Sequence, residues 1–363
     1  MQNDLIDKEI IVHFVANDKF TAGYINFFKL FFSNYEHIFF LREGKDWVSN
    51  KIINNDKVYY YSNIKLLSKE FRKVLIDSQK IIISGFFGFE KTSLLLGNKI
   101  LRKVYIQFWG GDFYSFRDYK KEKGVKQAIR NVVYIWSIKK CHALIFLIEG
   151  EEERFFKITG VKKDVCFIAP MPSDPVAKKI DYSNLRFKDN DNFYRIIVGN
   201  SATKENNHIE AFNLLEKFRN EEIEIICPLS YGDMDYAEKV IKEGYKKFGD
   251  KFKPLKDYMD KNDYVSLLSN CDIGIFNNDR QQGLGNIYDL LRLGKKVYIK
   301  TDISTYSYLI QLGYKVFDIE SIKAESFDNF VQFNYKKENI FISDEIIKNE
   351  ESDTIKMWSK VLC

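Results

Sequence analysis

Residues 194–215 read YRIIVGNSATKENNHIEAFNLL. The first five form a short apolar run and the middle is polar. Ile209, Phe212, Leu214 and Leu215, with Phe218 beyond, then recur at helical spacing. That is one strand, one loop and one helix over 207–218. The order repeats downstream. Strands are expected at 222–227 (stopped by Pro228), 252–255, 272–276, 296–299 and 315–317, and helices at 236–248, 261–269, 286–293 and 304–312. Upstream, apolar runs at 9–16, 38–42, 80–84, 103–109, 143–147 and 165–169 alternate with helix-like stretches at 23–33, 66–78 and 124–140. Strands of uniform apolar character between helices indicate parallel sheets covered on both faces. The chain therefore reads as α/β.

The stretch APMPSDP at 169–175 holds three of the five prolines, and 177–192 is polar. With 363 residues the chain is long enough for two domains. The expected division is 1–172, a linker at 173–192, a second domain at 193–343 and a terminal helix at 344–363 that packs back on the first domain. Two doubly wound, Rossmann-like domains in this order form the layout of the glycosyltransferase B architecture, an analogy at the level of fold alone.

Hydrophobic residues make up 45% and charged residues 29%, which excludes a disordered chain, a collagen and a small disulfide scaffold. Five scattered cysteines form neither a metal knuckle nor a redox motif and fit a reducing compartment. No signal peptide and no apolar run of spanning length is read, so a cytoplasmic location is expected. The net charge of +5 is too small to argue for nucleic acid. Its distribution says more, because residues 1–172 hold 28 Lys/Arg against 19 Asp/Glu, and residues 99–140 hold 11 against 3. Such a basic lobe, with Tyr134, Ile135 and Trp136 inside it, favours an anionic surface, although a solvated face is the commoner meaning. Aromatic residues reach 16%, for which compositional bias is an equal explanation.

Ligands of open α/β sheets bind at the carboxyl ends of strands. Three polar loops sit there in the second half. In the first, Gly199 permits close backbone approach, Asn200, Ser201 and Thr203 offer polar groups, Lys204 a charge, and Asn207 and His208 open the following helix; simple helix capping explains the same residues. In the second, Arg280, Gln281, Gln282, Gly283, Gly285 and Asn286 outline a diphosphate cradle, with Arg280 the bidentate cation and a surface salt bridge its plain alternative. In the third, Leu229 and Ser230 offer backbone groups to a base and Tyr231 a stacking ring, or the loop is a proline-stopped turn. In the first half, Asp112 follows two glycines and is a candidate to orient an acceptor hydroxyl or act as base, with an Asx turn or helix cap the alternative. His13, inside an apolar strand, reads as core, and the 85–88 glycine turn as packing. No Ser-His-Asp set, His-Glu-x-x-His or kinase set appears, so no metal and no cofactor are expected.

GNSATKENNHIEAFNLL at 199–215, CPLSYGDMDYAEKVI at 227–241 and IFNNDRQQGLGNIYDLLRLGKKVY at 275–298, with WGGDFY at 109–114, together resemble the TDP-N-acetylfucosamine:lipid II N-acetylfucosaminyltransferase family. This is the 4-acetamido-4,6-dideoxy-galactose transferase family, glycosyltransferase family 56. The resemblance implies a glycosyltransferase B fold, a dTDP-activated deoxyamino sugar as donor and a polyprenyl-diphosphate-linked saccharide as acceptor. It implies work on enterobacterial common antigen, O-antigen or related surface polysaccharide at the inner face of the bacterial inner membrane. The ribose-binding glutamate common in this architecture is not evident, and Asp289 and Asn286 are the nearest replacements. Two other classes compete: a non-catalytic nucleotide-sugar-binding scaffold, and a transferase acting on a protein or soluble glycan.

Overall fold

The computed structural model describes residues 8–43, 51–52, 56–61, 68–88, 90–119, 124–186 and 193–363. They form two compact units, Met1–Lys178 with Glu350–Cys363, and Lys179–Asn349.

The first unit is built on seven strands: β1 (Ile10–Val15), β2 (Glu36–Arg42), β3 (Val58–Tyr61), β4 (Lys80–Ser84), β5 (Val104–Gln107), β6 (Ala143–Phe146) and β7 (Cys166–Ile168). All pair in parallel in the order β3-β2-β1-β4-β5-β6-β7. Its helices are α1 (Thr21–Phe31), α2 (Lys69–Asp77), α3 (Glu90–Leu101), α4 (Gly111–Tyr119), α5 (Val125–Lys140) and α6 (Glu151–Thr159). Successive strand residues face opposite layers. Val12 and Phe14 join one core with Leu75, Ile100, Tyr134 and Phe155. Ile11 and Val15 join the other with Tyr24, Phe28 and Trp358. Both faces are buried, which is why the strands carry no polar alternation.

The second layer is closed from far along the chain. Trp358 is fully buried, packs 4.8 Å from the Phe28 ring and donates from its indole N–H to Pro170 O at 3.1 Å. Lys80 Nζ donates to the carbonyls of Val361, Leu362 and Cys363, where the helix α13 (Lys336–Leu362) leaves its last carbonyls unpaired.

The second unit repeats the plan with β8 (Tyr194–Val198), β9 (Ile223–Pro228), β10 (Phe252–Leu255), β11 (Ile273–Phe276), β12 (Lys296–Ile299) and β13 (Phe317–Asp318). These are again parallel, in the order β10-β9-β8-β11-β12-β13. Its helices are α7 (His208–Leu215), α8 (Met234–Phe248), α9 (Lys261–Ser269), α10 (Leu284–Arg292), α11 (Ser304–Gln311) and α12 (Phe327–Val331). Pro228 is the last residue of β9 rather than its stop, and Pro254 is confined to the edge strand β10, where a missing N–H costs no ladder bond. Ile180, Tyr182 and Leu185, in the polar stretch expected as linker, pack against the core of this unit.

Four elements of the first unit were not expected from the sequence. Helix α3 is kinked at Gly97 (φ 73°), which breaks its periodicity. Helix α4 begins in the glycine pair that reads as a turn, α6 opens on three glutamates, and β3 is a short edge strand.

Candidate active site

In each sheet the strand order reverses at one point, between β1 and β4 and between β8 and β11. Crossovers leave to opposite faces there and open a crevice at the strands' carboxyl ends. In the second unit the loops that follow β8 and β11 flank this switch point. They are the first two loops singled out in the sequence.

The two loops are tied to each other. Gln282 Nε2 donates to Thr203 Oγ1 at 2.8 Å and Ser201 Oγ at 3.1 Å. Asn207 Nδ2 donates to Asn277 O at 2.9 Å, and Asn277 returns a bond to Asn207 O at 3.4 Å. Asp279 N–H donates to Glu205 O at 2.9 Å. Within the first loop, Asn206 holds Thr203 Oγ1 at 2.7 Å and accepts from Asn200 N–H at 3.1 Å. Gly199 is required: at φ +71° its Cβ would sit 2.5 Å from His208 Nε2. His208 is fully buried, and burial pulls its pKa down to about 4, so the ring is neutral.

Buried polar atoms normally find a partner. Among the described residues seven buried side-chain N or O atoms lack a hydrogen bond, and five belong to these loops or the helix opening beside them: Asn200 Oδ1, His208 Nε2, Asn278 Oδ1, Arg280 Nε and Gln282 Oε1. Helix α10 starts at Leu284 after Gly283, whose φ is +68° and whose Cβ would lie 2.9 Å from Asn200 Oδ1. It thus begins two residues before Asn286, the expected start. Gly285 faces open space. The first turn of α10 opens beside Asn200, after the same loop that carries Arg280. Such a helix start suits an anion.

The cations are not idle. Arg280 lies 3.6 Å from Glu205 and donates from Nη1 to Gln281 O at 3.1 Å, with only 13% of its side chain exposed. It is a held guanidinium rather than a surface one. Gln281 itself is buried. Lys204 pairs at 3.6 Å with Asp233, the cap of α8, and 73% of it lies in solvent. In the third loop, the Leu229 N–H is taken by Leu255 O at 2.8 Å and its side chain is core, so neither faces outward. Ser230 lies beside it, and Tyr231 is half exposed, with its hydroxyl accepting from Asn200 Nδ2 at 3.3 Å. Gly232 has no room for a side chain, since its Cβ would meet Ala202 O at 2.5 Å.

Asp289 and Asn286 are both engaged. Asp289 is buried and accepts from the Tyr182 hydroxyl at 2.6 Å on one oxygen and from Lys261 on the other. Asn286 Nδ2 donates to the Tyr264 hydroxyl at 2.9 Å. Tyr182 and Lys261 lie outside every quoted motif; Asn206 and Asn278 lie inside two of them, but no pattern marks either as a site residue.

In the first unit Asp112 is a clasp. Its carboxylate accepts from Phe86 N–H at 2.9 Å and from Trp109 and Phe113 N–H at 3.1 Å. It therefore pins the 85–88 and 109–112 loops at the β4 and β5 ends. Burial pushes its pKa up to about 6, against those N–H bonds. His13 is core. His37 Nε2 faces the Phe32 carbonyl at 3.0 Å and must donate, so His37 Nδ1 accepts from His13 Nε2 at 2.9 Å and His13 Nδ1 accepts from the Tyr24 hydroxyl at 3.0 Å. No group of three His, Cys, Asp or Glu placed to hold a metal occurs among the described residues.

Residues 26–306 match the family described as 4-alpha-L-fucosyltransferase, glycosyl transferase group 56. The chain belongs to glycosyltransferase family 56. The fold is likewise shared. A structure of Anabaena Alr3699/HepE in complex with UDP and glucose superposes with a TM-score of 0.66 at 12% identity, covering 98% of each chain. A Candida albicans trehalose-6-phosphate phosphatase N-terminal domain gives 0.64 at 11%, over 98% of this chain and 96% of that one. An E. coli trehalose-6-phosphate structure bound with UDP-2-fluoro glucose gives 0.63 at 10%, over 98% and 99%. This family 56 member is a glycosyltransferase with two parallel-sheet domains of the glycosyltransferase B type.

Proposed function

We propose that the chain moves a deoxyamino sugar of the Fuc4NAc type from a dTDP-sugar to a polyprenyl-diphosphate-linked saccharide in bacterial surface-polysaccharide synthesis, at the cytoplasmic face of the inner membrane. The observation that carries a nucleotide-sugar donor is the set of five buried polar atoms without a hydrogen bond around the β8–β11 switch point. Family membership and the nucleotide complexes of fold neighbours support the same class of donor. The choice of a deoxynucleotide is supported by Asp289. It is the sole carboxylate of α10, is only 2% exposed and already accepts on both oxygens, so that helix presents no carboxylate to a ribose 2′-hydroxyl. A donor without that hydroxyl leaves nothing unpaired there.

In this reading the nucleoside stacks near Tyr231 and the diphosphate lies at Gly283–Gly285. As the glycosidic bond breaks, charge grows on the leaving dTDP. The first-turn N–H groups of α10 and the guanidinium of Arg280 stabilise it without a metal. Arg280 is already oriented by Glu205 and Gln281 O, so little reorganisation is needed. Asp112 serves the acceptor side through the two loops it holds.

A thermal-shift screen against dTDP, UDP, GDP and their sugars tests the donor; a dTDP-sugar is expected to give the largest shift. Transfer assays on Arg280→Ala test the chemistry, with a loss of well over about tenfold in turnover expected on an intact fold. Wild-type turnover and affinity in that variant would remove Arg280 from the mechanism. Binding without hydrolysis or transfer across the whole panel would favour a nucleotide-sugar-binding scaffold instead.

A further inference from the structure

Helix α5 has 16 residues, four of them cationic (Lys126, Arg130, Lys139, Lys140), and no carboxylate. One side enters the core through Tyr134, Ser137 and Ile138. At about 100° per residue, Val125, Ile129 and Val132 fall within about 60° of one another and roughly opposite Tyr134. They are exposed by 78%, 58% and 68%. Side chains of this kind, three in one stripe, are unusual on a solvated helix. The stripe differs from the residues the sequence suggested: Tyr134 is 2% exposed and stacks on Phe116 at 4.7 Å, while Ile135 and Trp136 pack against the core.

Topology fixes where the stripe lies. Helix α5 ends at Lys140, just before β6 begins, so its carboxyl end is at the amino edge of the sheet. Its length of about 24 Å carries Val125 back to the carboxyl edge of the sheet. Helix α3 runs the same way beside it and adds Leu94, 53% exposed. Phe87 and Phe20, in the loops after β4 and β1, are 48% and 47% exposed, and both rings meet Trp109 edge-on. The apolar surface therefore clusters at the edge where the β1–β4 switch point opens.

We propose that the outer face of α5, down to this edge, rests on an anionic phospholipid bilayer. Val125, Ile129 and Val132 lie in the boundary between headgroups and acyl chains, and the lysines of α5 lie over the phosphates. The stripe runs about 10 Å along an axis that lies in the interface plane, with its apolar side chains facing the acyl chains as in interfacial helices. Charge decides against a second copy as occupant: a two-fold contact would set cations against the same cations with no carboxylate on the helix to relieve them. The inference rests on the lipid-linked acceptor proposed above, which it would receive directly from the membrane on the same side.

The test is co-sedimentation of the full chain with phosphatidylglycerol and phosphatidylcholine vesicles at low and high salt, with no donor or acceptor present. Preference for phosphatidylglycerol by at least about tenfold at low salt, reduced by high salt, is expected. Val125→Ser/Ile129→Ser/Val132→Ser should lose about tenfold or more of that binding while retaining wild-type donor binding by thermal shift. Lys139→Gln/Lys140→Gln should lose the salt sensitivity. Equal binding to both vesicles at all salt concentrations, a triple variant that binds as wild type, or a stripe that mediates dimerisation with no vesicle binding would each overturn the proposal. Normal vesicle binding together with efficient transfer to a soluble glycan would instead remove the lipid-linked acceptor and leave the docking surface standing.

Discussion

Asp112 offers the sharpest test of structure against chemistry, because a clasp and a base fail differently. Asp112→Ala strips the acceptor from the N–H groups of Phe86, Trp109 and Phe113. The Phe113 N–H keeps Gly110 O at 3.0 Å, so two donors are left unpaired, and at about 2 kcal/mol each the loss is about 4 kcal/mol. Against this, holding the carboxylate ionised in its buried site costs about 3 kcal/mol at neutral pH, from a pKa raised from 3.8 to about 6. The net expectation is a destabilisation of about 1 kcal/mol at pH 7. The sign of the pH dependence follows from proton counts. Between 3.8 and about 6 the folded state holds the extra proton, so this residue's contribution to stability rises as pH falls. From pH 7 to pH 5 the wild type should gain about 1.3 kcal/mol relative to the variant. Urea unfolding followed by tryptophan fluorescence reads this selectively, since all four tryptophans belong to the first unit. A variant with wild-type stability at both pH values and a rate lowered roughly a hundredfold or more would refute the clasp and make Asp112 a base.

Two further outcomes follow from geometry and burial. Gly283→Ala places a Cβ 2.9 Å from Asn200 Oδ1 at a φ of +68°; it should weaken donor binding about tenfold or more by titration calorimetry and destabilise the second unit by about 1–2 kcal/mol. His37, whose pKa burial lowers from 6.5 to about 4, is neutral when folded; the unfolded chain takes up the proton first, so stability present above pH 6.5 is lost as pH falls toward 4, by about 3 kcal/mol, and His37→Gln should flatten that acid limb in the same fluorescence assay.

Much of the plan was legible because burial leaves a plain signature. A strand covered on both faces has to be apolar throughout, and KIIIS or YRIIV can hardly be anything else. The loops after β8 and β11 were legible for a related reason: polar residues dense between two apolar elements lie at a sheet edge. What one chain cannot display is pairing across distance. Glu205 and Arg280 lie on different loops, and their approach depends on β8 and β11 being neighbours. Asp289 looked available until Tyr182, from a stretch that reads as linker, reached it. Helix α4 was hidden by its own start, because Gly110-Gly111 signals a turn while Gly110 O accepts from the Phe113 and Tyr114 N–H groups and Asp112 from Phe113 as well. Its clasp across to Phe86 joins two loops separated by a whole strand and helix.

The return of Glu350–Cys363 to the first unit has a consequence for the growing polypeptide. On the ribosome, residues 179–349 are complete and contiguous before the tail that carries Trp358 has been made. Until that tail docks, Tyr24 and Phe28 are uncovered on one side of the first sheet, whereas the core of the second unit draws on none of it. The first unit's core is therefore closed by a segment remote in sequence, and loss of that segment would open it while leaving residues 179–349 whole.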